Sequence, residues 1–148
     1  MTTETKNNET TQSLTRKGTC VEFFSAYQDH EYERMVSLCS ADADVNFTPL
    51  GENGVGKVAE LGKGLWAALM DSFPDIDNTI DTFEENDDAI ICKVSIFGTQ
   101  AKDFAGIPSK GLRFESDHIF MFRFNDDDQI TSIEISWNHE SFCTQLGS

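Results

Sequence analysis

Three observations predict an α+β fold in which a curved, mainly antiparallel sheet wraps around about three N-terminal helices and leaves an apolar pocket. Apolar residues recur at helical spacing through the first half of the chain. After Pro74 the period changes to two, over four long segments. Strands of that length curl, and helices lying inside a curled sheet leave a concavity.

The elements follow in order. Residues 1–12, "MTTETKNNETTQ", are poor in apolar side chains and are expected to form a disordered tail; residues 13–148 form one domain. Val21, Phe23, Phe24 and Tyr27 mark a helix over about 14–28. Tyr32, Met35, Val36 and Cys39 mark its partner over about 30–39. A turn is expected at Ser40–Ala41–Asp42, then a short strand in "DVNFTPL". The glycines of "GENGVGKVAELGKG" do not spell a phosphate loop, because neither G-x-x-x-x-G-K-[ST] nor a strand-led G-x-G-x-x-G is present. They lead instead into a helix from about Lys57 to Ser72, stopped by Pro74. "DIDNTIDTFEEN" pairs with "AIICKVSIFGTQ" as one hairpin, and "LRFESDHIFMFRF" with "ITSIEISWNHESF" as another.

Charge narrows the partners. A net charge of −15 repels phosphate backbones, so neither nucleic acid nor an anionic membrane is an expected partner. No apolar run reaches the ~20 residues of a membrane span. The four cysteines are scattered and follow a polar N-terminal segment, which points to reduced thiols and a cytoplasmic setting. Twelve Phe against two Tyr favour a deep apolar interior, and with it a small apolar molecule as ligand.

His118 is the first candidate for chemistry. Strand alternation places it on one face with Phe114, Ser116, Phe120, Phe122 and Phe124, while Glu115, Asp117, Ile119, Met121 and Arg123 face the other way. Asp117 therefore cannot pair with it. An imidazole among aromatic rings is held neutral at pH 7 and can accept and return a proton. The last strand has two possible phases. In one, Trp137 and His139 reach the pocket and His139 is a rival base; in the other, Glu134 enters with Ser136 and Asn138. Asn46 could donate to a ligand carbonyl, and Tyr27, Trp66, Phe120 and Trp137 are candidate ligand contacts. The three histidines show no H-x-H or H-x-x-x-H spacing, so no metal site is expected.

Three stretches resemble the SnoaL-like polyketide cyclases of the nuclear-transport-factor-2-like superfamily, whose fold is a cone-shaped α+β barrel. These are "VEFFSAYQDHEYERMVSLCSADADVNFTPLG", "FAGIPSKGLRFES" with its G-x-P-x-x-G turn (Gly106, Pro108, Gly111), and "FRFNDDDQITSIEISWNHESFCTQLG". The resemblance covers about 14–147. It implies cofactor-free proton-transfer chemistry on an apolar carbonyl compound (cyclisation, isomerisation or dehydration), or a non-catalytic pocket of the same fold. It also implies a homodimer through the convex face of the sheet. One departure is plain: the family's characterised cyclases carry an acid/base aspartate before the Trp of the last strand, and Ser136 stands here.

Overall fold

The computed structural model describes residues 3–86 and 88–148, with side chains from Gln12 onward except Ser13. Helix α1 spans Thr3–Gln28, so its bounds overlap the segment expected as a tail; residues 1 and 2 of that segment lie outside the described residues. Cys20, Phe23, Phe24 and Tyr27 lie on one face of α1 and are buried. Helix α2 (Tyr32–Ser37) follows after a reversal at His30, whose φ of 59° sets the turn and whose ring Nε2 lies 2.9 Å from the Ile76 carbonyl.

Six strands form one sheet among the described residues: β1 (Cys39–Phe47), β2 (Val55–Lys57), β3 (Asp77–Asn86), β4 (Ala89–Thr99), β5 (Arg113–Phe124) and β6 (Ile130–Trp137). Their order is β2-β1-β6-β5-β4-β3. Only the β1–β6 pair is parallel. The two long hairpins, β3–β4 and β5–β6, are those the period-two pattern predicts. Alternation holds along β5: Phe114, His118, Phe120, Phe122 and Phe124 are buried, while Glu115, Asp117 and Ile119 are exposed.

Three local expectations are corrected. Ser40–Ala41–Asp42 is not a turn but the irregular start of β1, where the pairing with β6 shifts register between Cys39 and Asp44. The helix expected from Lys57 begins later, because Val55–Lys57 pair with β1 and Val58–Gly62 form a π-helical turn before α3 (Lys63–Ser72). The last strand stops at Trp137. Asn138 caps a further helix, α4 (His139–Gln145), by accepting from the Ser141 N–H at 2.9 Å. Replacing Asn138 by alanine is expected to lower stability by about 1 kcal/mol, read from the urea midpoint.

The core lies between α1, α3 and the concave face of the sheet. Phe23 and Phe24 meet Phe120 and Phe122 in edge-to-face contacts with centroids 4.9–6.2 Å apart. Arg16 fastens α1 across the end of the sheet: its Nε donates to Asp128 at 2.8 Å, and its guanidinium lies 5.3 Å from the Phe124 ring centre. A second aromatic group (Phe73, Phe104, Phe114 and Phe142) closes the opposite end of the cone. Phe104 belongs to the loop between β4 and β5. That loop turns through Gly106 and Gly111, at φ +81° and +71°, which β-carbon-bearing residues rarely adopt. The loop folds onto Gln100, whose buried amide donates to the Ile107 and Lys102 carbonyls.

Candidate functional site

A cavity remains between the two aromatic groups. Its volume is about 60 Å³, and it is partly open to solvent. Each layer of the cone contributes to its wall. Helix α1 brings Tyr27, and α3 brings Leu65, Trp66 and Leu69. The sheet brings Phe47, Ile96, Phe114, His118, Phe120, Ile135 and Trp137. The loops and α4 bring Leu50, Ile76, Phe104, Ala105, His139 and Phe142. No lining residue is an Asp, Glu, Lys or Arg. The walls are therefore apolar, with a few neutral polar atoms, as in small-molecule sites generally.

His118 is a buried imidazole on the cavity wall. It is 9% exposed, and burial pushes its pKa down to about 4, outweighing the opposing effects of the Ser116 carbonyl and Asp117. The ring is neutral at pH 7. Its Nδ1 lies 3.2 Å from the Ser116 carbonyl and 3.3 Å from the Ser116 hydroxyl. A carbonyl only accepts, so the Nδ1 proton is used there and the Nε2 lone pair is left free. Among the described residues nothing in the protein bonds to Nε2. On the neighbouring strand His118 is directly opposite Trp137, and the two rings stack at 5.4 Å with an interplanar angle of 18°.

Tyr27 and Trp66 are buried, at 2% and 1% exposure, and both line the cavity. Burial holds the Tyr27 phenol protonated, well above its ordinary pKa. Among the described residues neither the phenol O–H nor the indole N–H bonds to the protein. The six-membered edge of Trp66 lies over Gly62, where an added β-carbon would come within 3.0 Å of the ring. Its pyrrole edge, which carries the N–H, points away from that contact.

Four of the expected contact residues, Tyr27, Trp66, Phe120 and Trp137, thus come together around His118. Asn46 does not. It alternates with Val45 and Phe47, which are buried, and so turns to the outer face, paired in register with Glu134. Glu134 is exposed on that face, between buried Ile133 and Ile135, which fixes the phase of β6 and removes Glu134 from the cavity. His139 does reach the cavity, from the first position of α4 and not from a strand. Its Nδ1 accepts from the Trp137 indole N–H at 3.2 Å, and its Nε2 lies 3.5 Å from Cys143 Sγ. With both nitrogens engaged it is a poor rival to His118. Phe142 and Phe104 escaped the sequence reading. The i, i+4 repeat of Phe142 and Leu146 behind the Asn138 cap was the available signal for α4.

Among the described residues no three His, Cys, Asp or Glu side chains are grouped to hold a metal ion, and no helix is long and apolar enough to cross a membrane.

A cone of helices in a curled sheet, with one buried histidine in an apolar cavity, defines the class: a small pocket domain of the nuclear-transport-factor-2-like fold. Residues 21–133 match the SnoaL-like domain, and the chain belongs to that family. Among solved structures it is similar to a Jannaschia protein assigned as a SnoaL-like polyketide cyclase, with 16% identity, 91% of this chain and 93% of that chain covered, and a TM-score of 0.79. IdmH from Streptomyces antibioticus, assigned as a polyketide cyclase, shares 22% identity over 90% of this chain and 99% of its own, with a TM-score of 0.74. AclR from Streptomyces galilaeus, assigned as a hydroxylase, shares 20% identity over 89% and 95%, with a TM-score of 0.76. At these identities the likeness is one of fold. No curated protein matches the chain significantly.

Proposed function

We propose that the cavity binds an uncharged, largely apolar carbonyl compound, and that His118 moves a proton to and from it. The observation that carries this reading is the free Nε2 of a neutral, buried imidazole in a cavity walled by rings and aliphatic side chains. The Nε2 lone pair takes a proton from the carbon next to the carbonyl. The C–H pair becomes the enolate double bond, and charge gathers on the ligand oxygen. The Tyr27 O–H and Trp66 N–H, both without protein acceptors, are suited to hold that oxygen. The imidazolium then returns the proton at the same or another carbon, or to a leaving hydroxyl, giving exchange, isomerisation or dehydration; in cyclisation the enolate carbon attacks a second carbonyl, whose π pair becomes an alkoxide that takes the imidazolium proton. The step balances with His118 alone. Bases of comparable strength abstract protons beside ketones when the enolate oxygen is held. The acidic surface and the uncharged lining both favour a neutral ligand.

A second reading is a non-catalytic pocket, favoured by Ser136 at the place of the family's acid/base aspartate and by the absence of a lining carboxylate. In either reading the convex face, with Ile119 47% exposed among Glu115, Asp117 and Arg123, suits a second copy of the chain; a monomeric mass in solution scattering would exclude it.

The test uses 2-tetralone, a neutral ketone with acidic α-protons, in D₂O. Wild-type protein is expected to accelerate α-deuterium uptake, followed by NMR, and His118→Phe to lower the catalysed rate about 10²–10⁴-fold. Binding seen by tryptophan quenching without exchange would favour the second reading. No binding at all would remove this ligand class.

A further inference from the structure

His139 does something other than compete with His118. Three contacts define its place. The Trp137 indole N–H donates to His139 Nδ1 at 3.2 Å. His139 Nε2 lies 3.5 Å from Cys143 Sγ, one turn along α4. The imidazole also stacks on Phe142 at 5.8 Å and 19°. An indole N–H can only donate, so Nδ1 must be the acceptor. The neutral ring then carries its proton on Nε2, where it points at the cysteine sulfur.

This bond has consequences for the neighbouring ring. Trp137 is the last residue of β6, beyond which the ladder stops at Asn138. Its indole has two neighbours of known geometry on the cavity side: His118, stacked at 5.4 Å, and Phe47, edge-on at 6.4 Å. Stacking and edge contact do not select between the two χ2 settings, about 180° apart, that keep the indole plane and exchange its edges. The hydrogen bond to His139 does. The Asn138 cap in turn anchors the first turn of α4, which holds His139 in place.

We infer that His139 is the positioning residue of this site: as the Nε2-protonated tautomer it takes the Trp137 indole N–H and holds the indole flat against His118. It acts through Trp137, fixing one wall of the cavity and the orientation of the imidazole stacked on it. The inference rests on reading the cavity as the ligand site, although its test does not need a ligand.

The test is NMR of the ligand-free full chain. The chain has two tryptophans, so Trp137→Phe assigns the two indole N–H signals. In wild-type protein the side-chain ¹⁵N shifts of His139 should show an unprotonated Nδ1 and a protonated Nε2; the opposite tautomer overturns the inference without any variant. His139→Phe keeps a ring to stack on Phe142 but offers no acceptor. It is expected to speed solvent exchange of the Trp137 indole proton, and to move the His118 ring protons downfield as the indole's ring current leaves them. The Trp66 indole signal should not change. His139→Gln, whose amide oxygen can accept, is expected to restore both signals toward wild type. Unchanged His118 shifts in His139→Phe would overturn the inference. Failure of 2-tetralone to bind would leave these signals untouched and would count only against the proposed function.

Discussion

Phe23→Ala is expected to cost about 3–5 kcal/mol of folding stability, the range for emptying a large aromatic site in a packed core. Phe23 is fully buried and sits where α1, α3 and β5 meet. Its ring makes edge-to-face contacts with Phe24 at 5.3 Å, Trp66 at 5.4 Å, Phe122 at 5.2 Å and Phe120 at 6.2 Å. Four rings on three elements cannot all move in to fill the gap, so the cavity term persists. Stabilities of domains this size run at about 5–15 kcal/mol, so the loss removes at least about a fifth of the total. Phe23→Leu, which keeps most of the volume, should cost much less. Urea denaturation measures both, and a loss below about 1.5 kcal/mol for the alanine variant would mean that the aromatic group is looser than its geometry implies.

That packing also explains how much of the fold was legible. Residues 114–124 alternate so regularly that the buried and exposed faces of β5 follow from the sequence, and with them the position of His118 opposite the acidic face. Helix α1 was legible for the same reason, at a different period. Failures fell where local signals compete with long-range pairing. Ser40, Ala41 and Asp42 have turn chemistry, but β6 supplies a parallel partner strand almost 90 residues away, and the backbone extends to meet it. The π-helical turn at Val58–Gly62 has no periodic signature, since its residues also fit an α-helix.

The site divides along the same line. Which face of β6 points inward turned on its register with β1 and β5, which no single segment encodes: Glu134 is opposite Met121 on one side and Asn46 on the other, and all three share the outer face. Tyr27 and Trp66 are candidate contacts in the sequence, and the structure makes them core residues as well. Their polar atoms matter only because the surrounding rings leave space beside them, and that space is a property of the whole cone. His139 carried no sequence sign of its bond to Trp137, since the bond forms only once β6 ends and α4 begins.

Acid should destabilise the protein through His118 by about 3 kcal/mol. In the unfolded chain this imidazole titrates near 6.5; folded, burial lowers it to about 4. Between those values the unfolded chain binds a proton that the folded chain excludes, so stability falls as the pH falls from 6.5 toward 4 and is unaffected by this residue above about 7. At about 1.4 kcal/mol for each pH unit of difference, the full gap amounts to about 3.5 kcal/mol, of which about 3 kcal/mol is expressed by pH 4. The many carboxylates add their own acid dependence, but His118→Phe removes only the imidazole part. The stability of wild type relative to His118→Phe is therefore expected to rise by about 3 kcal/mol from pH 4 to pH 7, with most of the change between 4.5 and 6.5. Urea titrations at half-unit pH steps would show it, and parallel profiles for the two proteins would contradict it. A direct NMR titration gives the same answer independently: the His118 ring should remain neutral at pH 5. That neutrality is also what the proposed function requires of Nε2, so on that reading one group would serve proton transfer in the cavity and make the fold sensitive to acid.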